Sequence, residues 1–260
     1  MAYAMLIDTS KCTACRGCQV ACKQWNQLPA EKTRNRGSYE NPPALSSKTW
    51  TRVGFKEISK DGKIEWLFTK RHCLHCTEAT CVKVCPTGAA QKTDQDSVLI
   101  DQKKCTGCKF CIENCPFEIP KYDASTNTAK KCELCFDRIS NGLDPACVKT
   151  CPPNAVRFGE RNELISSAKG RVSSLVNQGY SKANLYGDTQ LEGLGVMYVL
   201  IERPSEHGLL EDPQVPPSAV LWQDILKPAG AIAGGVTLVA IFASFLANLG
   251  YKQEAEKGGN

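Results

Sequence analysis

Cys12-Thr13-Ala14-Cys15-Arg16-Gly17-Cys18-Gln19-Val20-Ala21-Cys22 spaces four cysteines as C-x2-C-x2-C-x3-C. The spacing returns in Cys105-Thr106-Gly107-Cys108-Lys109-Phe110-Cys111-Ile112-Glu113-Asn114-Cys115, which Pro116 follows. Two looser groups complete the set. Cys73, Cys76, Cys81 and Cys85 read C-x2-C-x4-C-x3-C before Pro86, and Cys132, Cys135, Cys147 and Cys151 read C-x2-C-x11-C-x3-C before Pro152. These four groups use all 16 cysteines of the chain.

The spacing has a chemical reason. A cubane cluster presents four iron corners, and a tight C-x2-C-x2-C loop lets three thiolates reach three of them. The fourth cysteine, three residues on, turns away, and in two-cluster ferredoxins it ligates the neighbouring cluster. A following proline stops the loop from running into a helix. Structural zinc is the alternative, because paired C-x2-C hooks also bind zinc. Zinc hooks do not need the recurring third and fourth cysteines, and His72, His75 and His207 are the only histidines to pair with them. Disulfide scaffolds are usually shorter chains with too little core, whereas 260 residues bury a real one. The expected cofactors are four [4Fe–4S] clusters.

The chain is internally duplicated. Leu6-Ile7-Asp8…Lys11-Cys12-Thr13 recurs 93 residues later as Leu99-Ile100-Asp101…Lys104-Cys105-Thr106. Cys81-Val82-Lys83-Val84-Cys85-Pro86 likewise parallels Cys147-Val148-Lys149-Thr150-Cys151-Pro152. The fold class is α+β: two duplicated ferredoxin-like units with four clusters, plus one C-terminal transmembrane helix. Residues 1–160 form the cluster domain, and residues 161–226 pack on it and lead to the membrane. Strands are expected at Ala4 to Asp8 and Val98 to Asp101. A hairpin, Thr49 to Ser59 and Lys63 to Thr69, turns at Asp61-Gly62 and is either a contact surface or simply solvated. From Glu163 to Gln178, Leu164, Ile165, Ala168, Val172, Leu175 and Val176 recur at helical spacing, and Gly179 fits a C-cap.

Residues 227–250 read as a transmembrane helix and 251–260 as a polar tail. Ala229 to Leu249 carries no charge over 21 residues, long enough for a hydrocarbon core of ~30 Å. Gly230 and Gly234, then Ala243 and Ala247, give the small-residue spacing of a helix that meets a membrane partner. The stretch has no histidine, so it supplies no histidine ligand to a haem. Lys252 and Lys257 in the tail, against one lysine between His207 and the span, place the tail in the cytoplasm and the clusters outside. The first residues show no secretory signal of their own.

No bond-making chemistry is expected here. There is no G-x-x-x-x-G-K-[ST] loop, and Tyr198 stands where a G-x-G-x-x-G begun at Gly193 and Gly195 needs glycine. A net charge of +5, from 32 basic and 27 acidic side chains spread along the chain, gives no footprint for nucleic acid. Lys11, Lys104 and Lys131 adjoin ligand cysteines and either raise cluster potentials or are solvated surface.

With Ala21-Cys22…Trp25-Asn26, Lys48-Thr49-Trp50, Asp144 to Pro152, Phe158-Gly159 and Val196 to Leu200 in hand, the chain resembles the β subunit of membrane-bound respiratory formate dehydrogenase. That family is one of the four-cluster subunits serving molybdenum and tungsten oxidoreductases. The four-cluster pattern is shared with nitrate, dimethyl sulfoxide and polysulfide reductase subunits, and the single C-terminal span points to the formate enzyme. Nitrate reductase β subunits replace one cysteine with Trp, unlike this chain. The resemblance implies cluster one on Cys12, Cys15, Cys18 and Cys151, and cluster two on Cys22, Cys132, Cys135 and Cys147. Cluster three would take Cys73, Cys76, Cys81 and Cys115, and cluster four Cys85, Cys105, Cys108 and Cys111. It implies a molybdopterin catalytic subunit and a membrane cytochrome b subunit as partners, with no haem, nucleotide or molybdopterin on this chain. It further implies a single-pass protein of the inner membrane, its cluster domain periplasmic and exported with the catalytic subunit's twin-arginine signal. The expected role is electron relay from formate to quinone. The alternatives are a relay in the other direction, to polysulfide, dimethyl sulfoxide or a similar acceptor, and a zinc-binding assembly module.

Overall fold

Ala4, Met5, Leu6 and Ile7 are all buried in the first strand, as in a strand covered on both faces. The computed structural model describes residues 3–60, 62–226, 228–229, 232–233 and 235–245. In chain order it begins β1 (Tyr3–Asp8), α1 (Gly17–Trp25), β2 (Arg52–Lys60), β3 (Lys63–Arg71), α2 (Thr80–Lys83), β4 (Ala90–Lys92) and β5 (Val98–Ile100). Next come α3 (Phe110–Glu113), β6 (Lys121–Asp123), β7 (Thr128–Lys130), α4 (Phe136–Ile139), α5 (Ala146–Lys149) and β8 (Val156–Glu160). Then follow α6 (Arg161–Asn177), β9 (Asn184–Tyr186), β10 (Val196–Leu200) and α7 (Pro217–Leu221).

The main sheet has the order β8-β1-β10-β9. Strand β1 pairs antiparallel with β8 and parallel with β10, in the register Met5 to Val196 and Ile7 to Tyr198. Because side chains alternate along a strand, its two faces serve two cores. Met5, Ile7, Val196, Tyr198 and Leu200 face the core that contains Cys73, Cys132 and Cys147. Ala4, Leu6, Met197 and Val199 face Leu164, Ala168 and Leu175 of α6. The helix matches its expected stripe except at Val176, which lies about 100° round the axis from Leu175 and is 44% exposed. Gly179 follows with φ +96°, and Tyr180 N–H reaches Leu175 O, which closes the C-terminus.

The duplication is visible in the backbone. Asp8 N–H donates to Ala155 O and Asp101 N–H to Ala89 O, each at 2.8 Å. Asp8 Oδ1 accepts from Ser10 N–H at 3.0 Å, and Asp101 Oδ1 from Lys103 N–H at 2.8 Å. Both tight cysteine loops enter their helices through a left-handed residue, Arg16 (φ 61°) and Lys109 (φ 66°). Helix α1 packs on α5, and α2 on α3.

The hairpin forms as β2 and β3, turning beside Gly62 at φ +74°, with Asp61 outside the described residues. It is not simply solvated. Val53, Leu67, Thr69 and Lys70 at its base are buried, and β3 runs two residues past the expected end at Thr69 and delivers the chain to Cys73.

The chain divides into two compact units, Met1–Pro216 and Pro217–Asn260. Residues 161–216 thus belong with the cluster domain, since β9 and β10 complete its sheet and α6 covers it. In the second unit α7 passes into a π-helical turn, Trp222–Leu226, and residues 235–245 are helical. Ile232, Val236, Leu238, Val239, Ile241, Phe242 and Phe245 are exposed there. The stretch from Ala229 to Leu249 expected to span a membrane falls partly outside the described residues. Among those described, no helix is long and apolar enough to cross one.

Candidate iron–sulfur centres

Short helices place the cysteines. Cys18 and Cys22 lie on α1, Cys81 on α2, Cys111 on α3 and Cys147 on α5, while Cys85, Cys115 and Cys151 each follow a helix by two residues. All sixteen are free thiols, so none is spent on a disulfide.

The fold brings the thiols into four neighbourhoods. Burial raises the Cys12 thiol above its ordinary pKa, and nearby Cys151 and Cys15 add to the rise against a hydrogen bond from Ala14. Burial likewise raises Cys132, with Cys22, Cys73 and Cys135 beside it, and raises Cys135 to about 12, with Cys147 and Cys22 as neighbours. Cys76 is raised by burial together with Cys73, Cys115 and Cys81. Cys111 is pushed up to about 12 by burial and by Cys105, Cys108 and Cys85. Adjacent neighbourhoods feel each other's charge. Cys147 is a neighbour of Cys18, Cys73 of Cys132, and Cys111 of Cys81. Cys15 and Cys108, in the first and last neighbourhoods, are exposed.

Donors are already aimed at sulfur. Ala90 N–H reaches Cys85 Sγ, Ala129 N–H reaches Cys105 Sγ and Leu134 N–H reaches Cys132 Sγ, each at 3.4 Å. Asn26 Nδ2 lies 3.7 Å from Cys22 Sγ. Strands β4 and β7 thus supply equivalent bonds. Although burial acts to raise Cys85, the N–H groups of Ala90, Thr87 and Ala89 and the Thr87 hydroxyl hold it below its ordinary value.

These residues fit iron–sulfur clusters. Thiols that burial keeps protonated become thiolates only beside a strong positive charge, which bound iron supplies. A cavity is lined by Cys73, Cys76, Cys81 and Cys115, two different sequence groups around one hollow. Among the described residues, no three His, Cys, Asp or Glu gather as a single metal ion requires. The iron corners of a cubane lie apart and ask for a wider set of thiols.

The lysines divide. Lys11 and Lys104 are exposed, and Lys104 lies 3.9 Å from Asp101 in a surface pair. Lys131 is 2% exposed, and its Nζ donates to Val98 O and Cys132 O. Three buried residues carry no sign in the sequence: Lys70, His72 and His75. Burial pushes both imidazoles well below their ordinary pKa. His75 Nδ1 accepts from Val98 N–H, while both nitrogens of His72 lack a hydrogen-bond partner among the described residues.

Fold and cysteine loops together define an iron–sulfur electron-transfer protein. Two models described as "4Fe-4S dicluster domain" match it, at residues 11–89 and 64–161. The chain is 43% identical over 248 residues to the formate dehydrogenase iron-sulfur subunit of Haemophilus influenzae, covering 94% of this chain and 80% of that protein. It is 42% identical to the nitrate-inducible formate dehydrogenase iron-sulfur subunit of Escherichia coli, at 94% and 83% coverage. Formate dehydrogenase 2 subunit beta (cytochrome c-553) of Nitratidesulfovibrio vulgaris is 39% identical over 216 residues, 80% of this chain and 96% of that one. This chain belongs to the family of formate dehydrogenase iron–sulfur subunits.

Proposed function

We propose that the chain relays electrons from a formate-oxidising catalytic subunit through four [4Fe–4S] clusters to a membrane cytochrome b and quinone. Cys12, Cys15, Cys18 and Cys151 would hold the first cluster, and Cys22, Cys132, Cys135 and Cys147 the second. Cys73, Cys76, Cys81 and Cys115 would hold the third, and Cys85, Cys105, Cys108 and Cys111 the fourth. The observation that carries this reading is the hollow shared by Cys73, Cys76, Cys81 and Cys115, where the fourth thiol comes from the other sequence group. Bound there, each cluster supplies a site that gains and loses one electron.

The chain's own residues do the rest. Burial around Cys132 and Cys147 keeps water from the interior sulfurs, and the N–H groups of Ala90, Ala129 and Leu134 favour the electron-rich form. The mutual influence of Cys147 and Cys18, Cys73 and Cys132, and Cys111 and Cys81 supports a relay in the order one, two, three, four, with exposed Cys15 and Cys108 at its ends. Formate added anaerobically to the purified complex is expected to give reduced [4Fe–4S] signals in low-temperature EPR within turnover time. Clusters that dithionite reduces but formate does not would leave the relay intact and the substrate wrong. The relatives favour formate over the polysulfide and dimethyl sulfoxide alternatives.

The catalytic partner would carry molybdopterin with Mo or W. The uncharged stretch from Ala229 to Leu249 would cross the inner membrane beside the cytochrome b subunit, with the clusters on the periplasmic side. Ending the chain after Leu226 is expected to move it from the membrane pellet to the soluble fraction with its iron retained. Retention in the pellet after an alkaline wash would remove the anchoring role.

A further inference from the structure

Lys70 enters the core where β3 ends, paired in register with Val53 and two residues before His72-Cys73. It is 2% exposed. Its carbonyl accepts from the Tyr198 hydroxyl at 2.9 Å, which ties its backbone to the central sheet. Its Nζ is buried without a hydrogen-bond partner among the described residues, unlike that of Lys131. An unpaired ammonium in an apolar core is destabilising unless it faces negative charge. The groups that face it are sulfurs and one phenol: Cys147, Cys18, Cys132 and Tyr198.

Those sulfurs come from two neighbourhoods, Cys18 from the first and Cys132 and Cys147 from the second. We propose that Lys70 is a fixed positive charge shared by the first and second clusters, raising the reduction potential of both. This rests on the ligand sets assigned above. A cluster gains negative charge on reduction, so a desolvated cation beside it stabilises the reduced form, and a low local dielectric strengthens the effect. A charge shared by two neighbours lifts them together. It leaves the difference between their potentials nearly unchanged while raising both relative to the fourth cluster, whose sulfurs are not among those neighbours. A Leu or Met would fill the same space without that bias.

The test is an EPR-monitored redox titration of the purified complex carrying Lys70→Met or Lys70→Arg, with iron counted in each. With Met, two potentials are expected to fall by about tenfold in reduction equilibrium, equivalent to 59 mV for one electron. The fourth cluster should stay in place, and Arg should restore the first two. Four unchanged potentials at full iron content would overturn the proposal. A shift confined to clusters other than those lost in Cys18→Ser and Cys22→Ser would overturn it as well, whereas loss of one and the same cluster in those two Ser variants would overturn the ligand sets instead. Should the Met variant lose iron, the unmutated complex with [ε-15N]lysine decides. Pulsed EPR should then show nitrogen coupling at the cluster that Cys18→Ser removes, and its absence would sink the idea.

Discussion

Replacing Cys22 with Ser is expected to damage the cluster held by the fourth cysteine group and to leave that of the first group in place. Cys22 lies only four residues beyond Cys18 in the sequence, so reading along the chain assigns it to the first cluster. In the folded chain, Cys147 is among the charges that act on it, and it acts in turn on Cys132 and Cys135. Iron should fall by roughly one to four atoms per chain, depending on whether a three-iron remnant survives. In the proposed order the affected cluster is interior to the relay, so damage to it would interrupt every path between the two ends. Quinone reduction by formate should drop by more than the roughly 100-fold that loss of an outer-shell partner costs a metal site. Iron analysis and EPR read the first effect, and steady-state quinone reduction reads the second. If the variant instead lacks the signal that Cys15→Ser removes, the exchanged fourth cysteine is wrong.

Gly107→Ala is expected to cost the fourth cluster. Gly107 sits inside Cys105-Thr106-Gly107-Cys108 with φ +71°, a conformation that costs a residue with Cβ about 1–2 kcal/mol. The contact is worse than the torsion. A Cβ there would overlap Asn127 O, in the turn joining β6 and β7. Relief means pushing the loop off that hairpin, and the bond from Ala129 N–H to Cys105 Sγ goes with it. Roughly four irons per chain should be missing, the content of one cubane. Gly62→Ala is the matched control. Its φ is +74°, but among the described residues nothing lies within 4 Å of its Cβ position, so iron should be unchanged. Equal iron loss in both variants would refute the steric account.

Much of this was legible in the sequence because cysteine spacing is a local signal. The loop from Cys12 to Cys22 and its copy at Cys105 announce both the metal and the duplication, and paired bonds such as Asp8 to Ala155 and Asp101 to Ala89 repeat that symmetry. Helix α6 was readable because one apolar stripe decides it. The pairing of β1 with β10 was not, since nothing near Met5 specifies Val196, and parallel neighbours are joined only through the rest of the domain. Lys70 was missed for a related reason. It stands between Lys63 and Arg71 in a strand with other charges, and reads as the end of a solvated hairpin. Only the docking of that hairpin's base turns it inward. The sulfur donors Ala90 and Ala129 were equally silent, because a backbone N–H has no residue type.

The position of β1 also sets a timetable. Strand β1, made well before its partners, lies between β8, completed at residue 160, and β10, completed at residue 200. Until both exist, Met5 and Ile7 have no core on one face, and Ala4 and Leu6 have none on the other. Contacts of such long sequence separation close late. The N-terminal loop from Cys12 to Cys18 is therefore an unfinished socket through most of translation. A nascent chain must be kept from aggregating or oxidising until its last strands arrive, and loading of the metal belongs to the finished polypeptide.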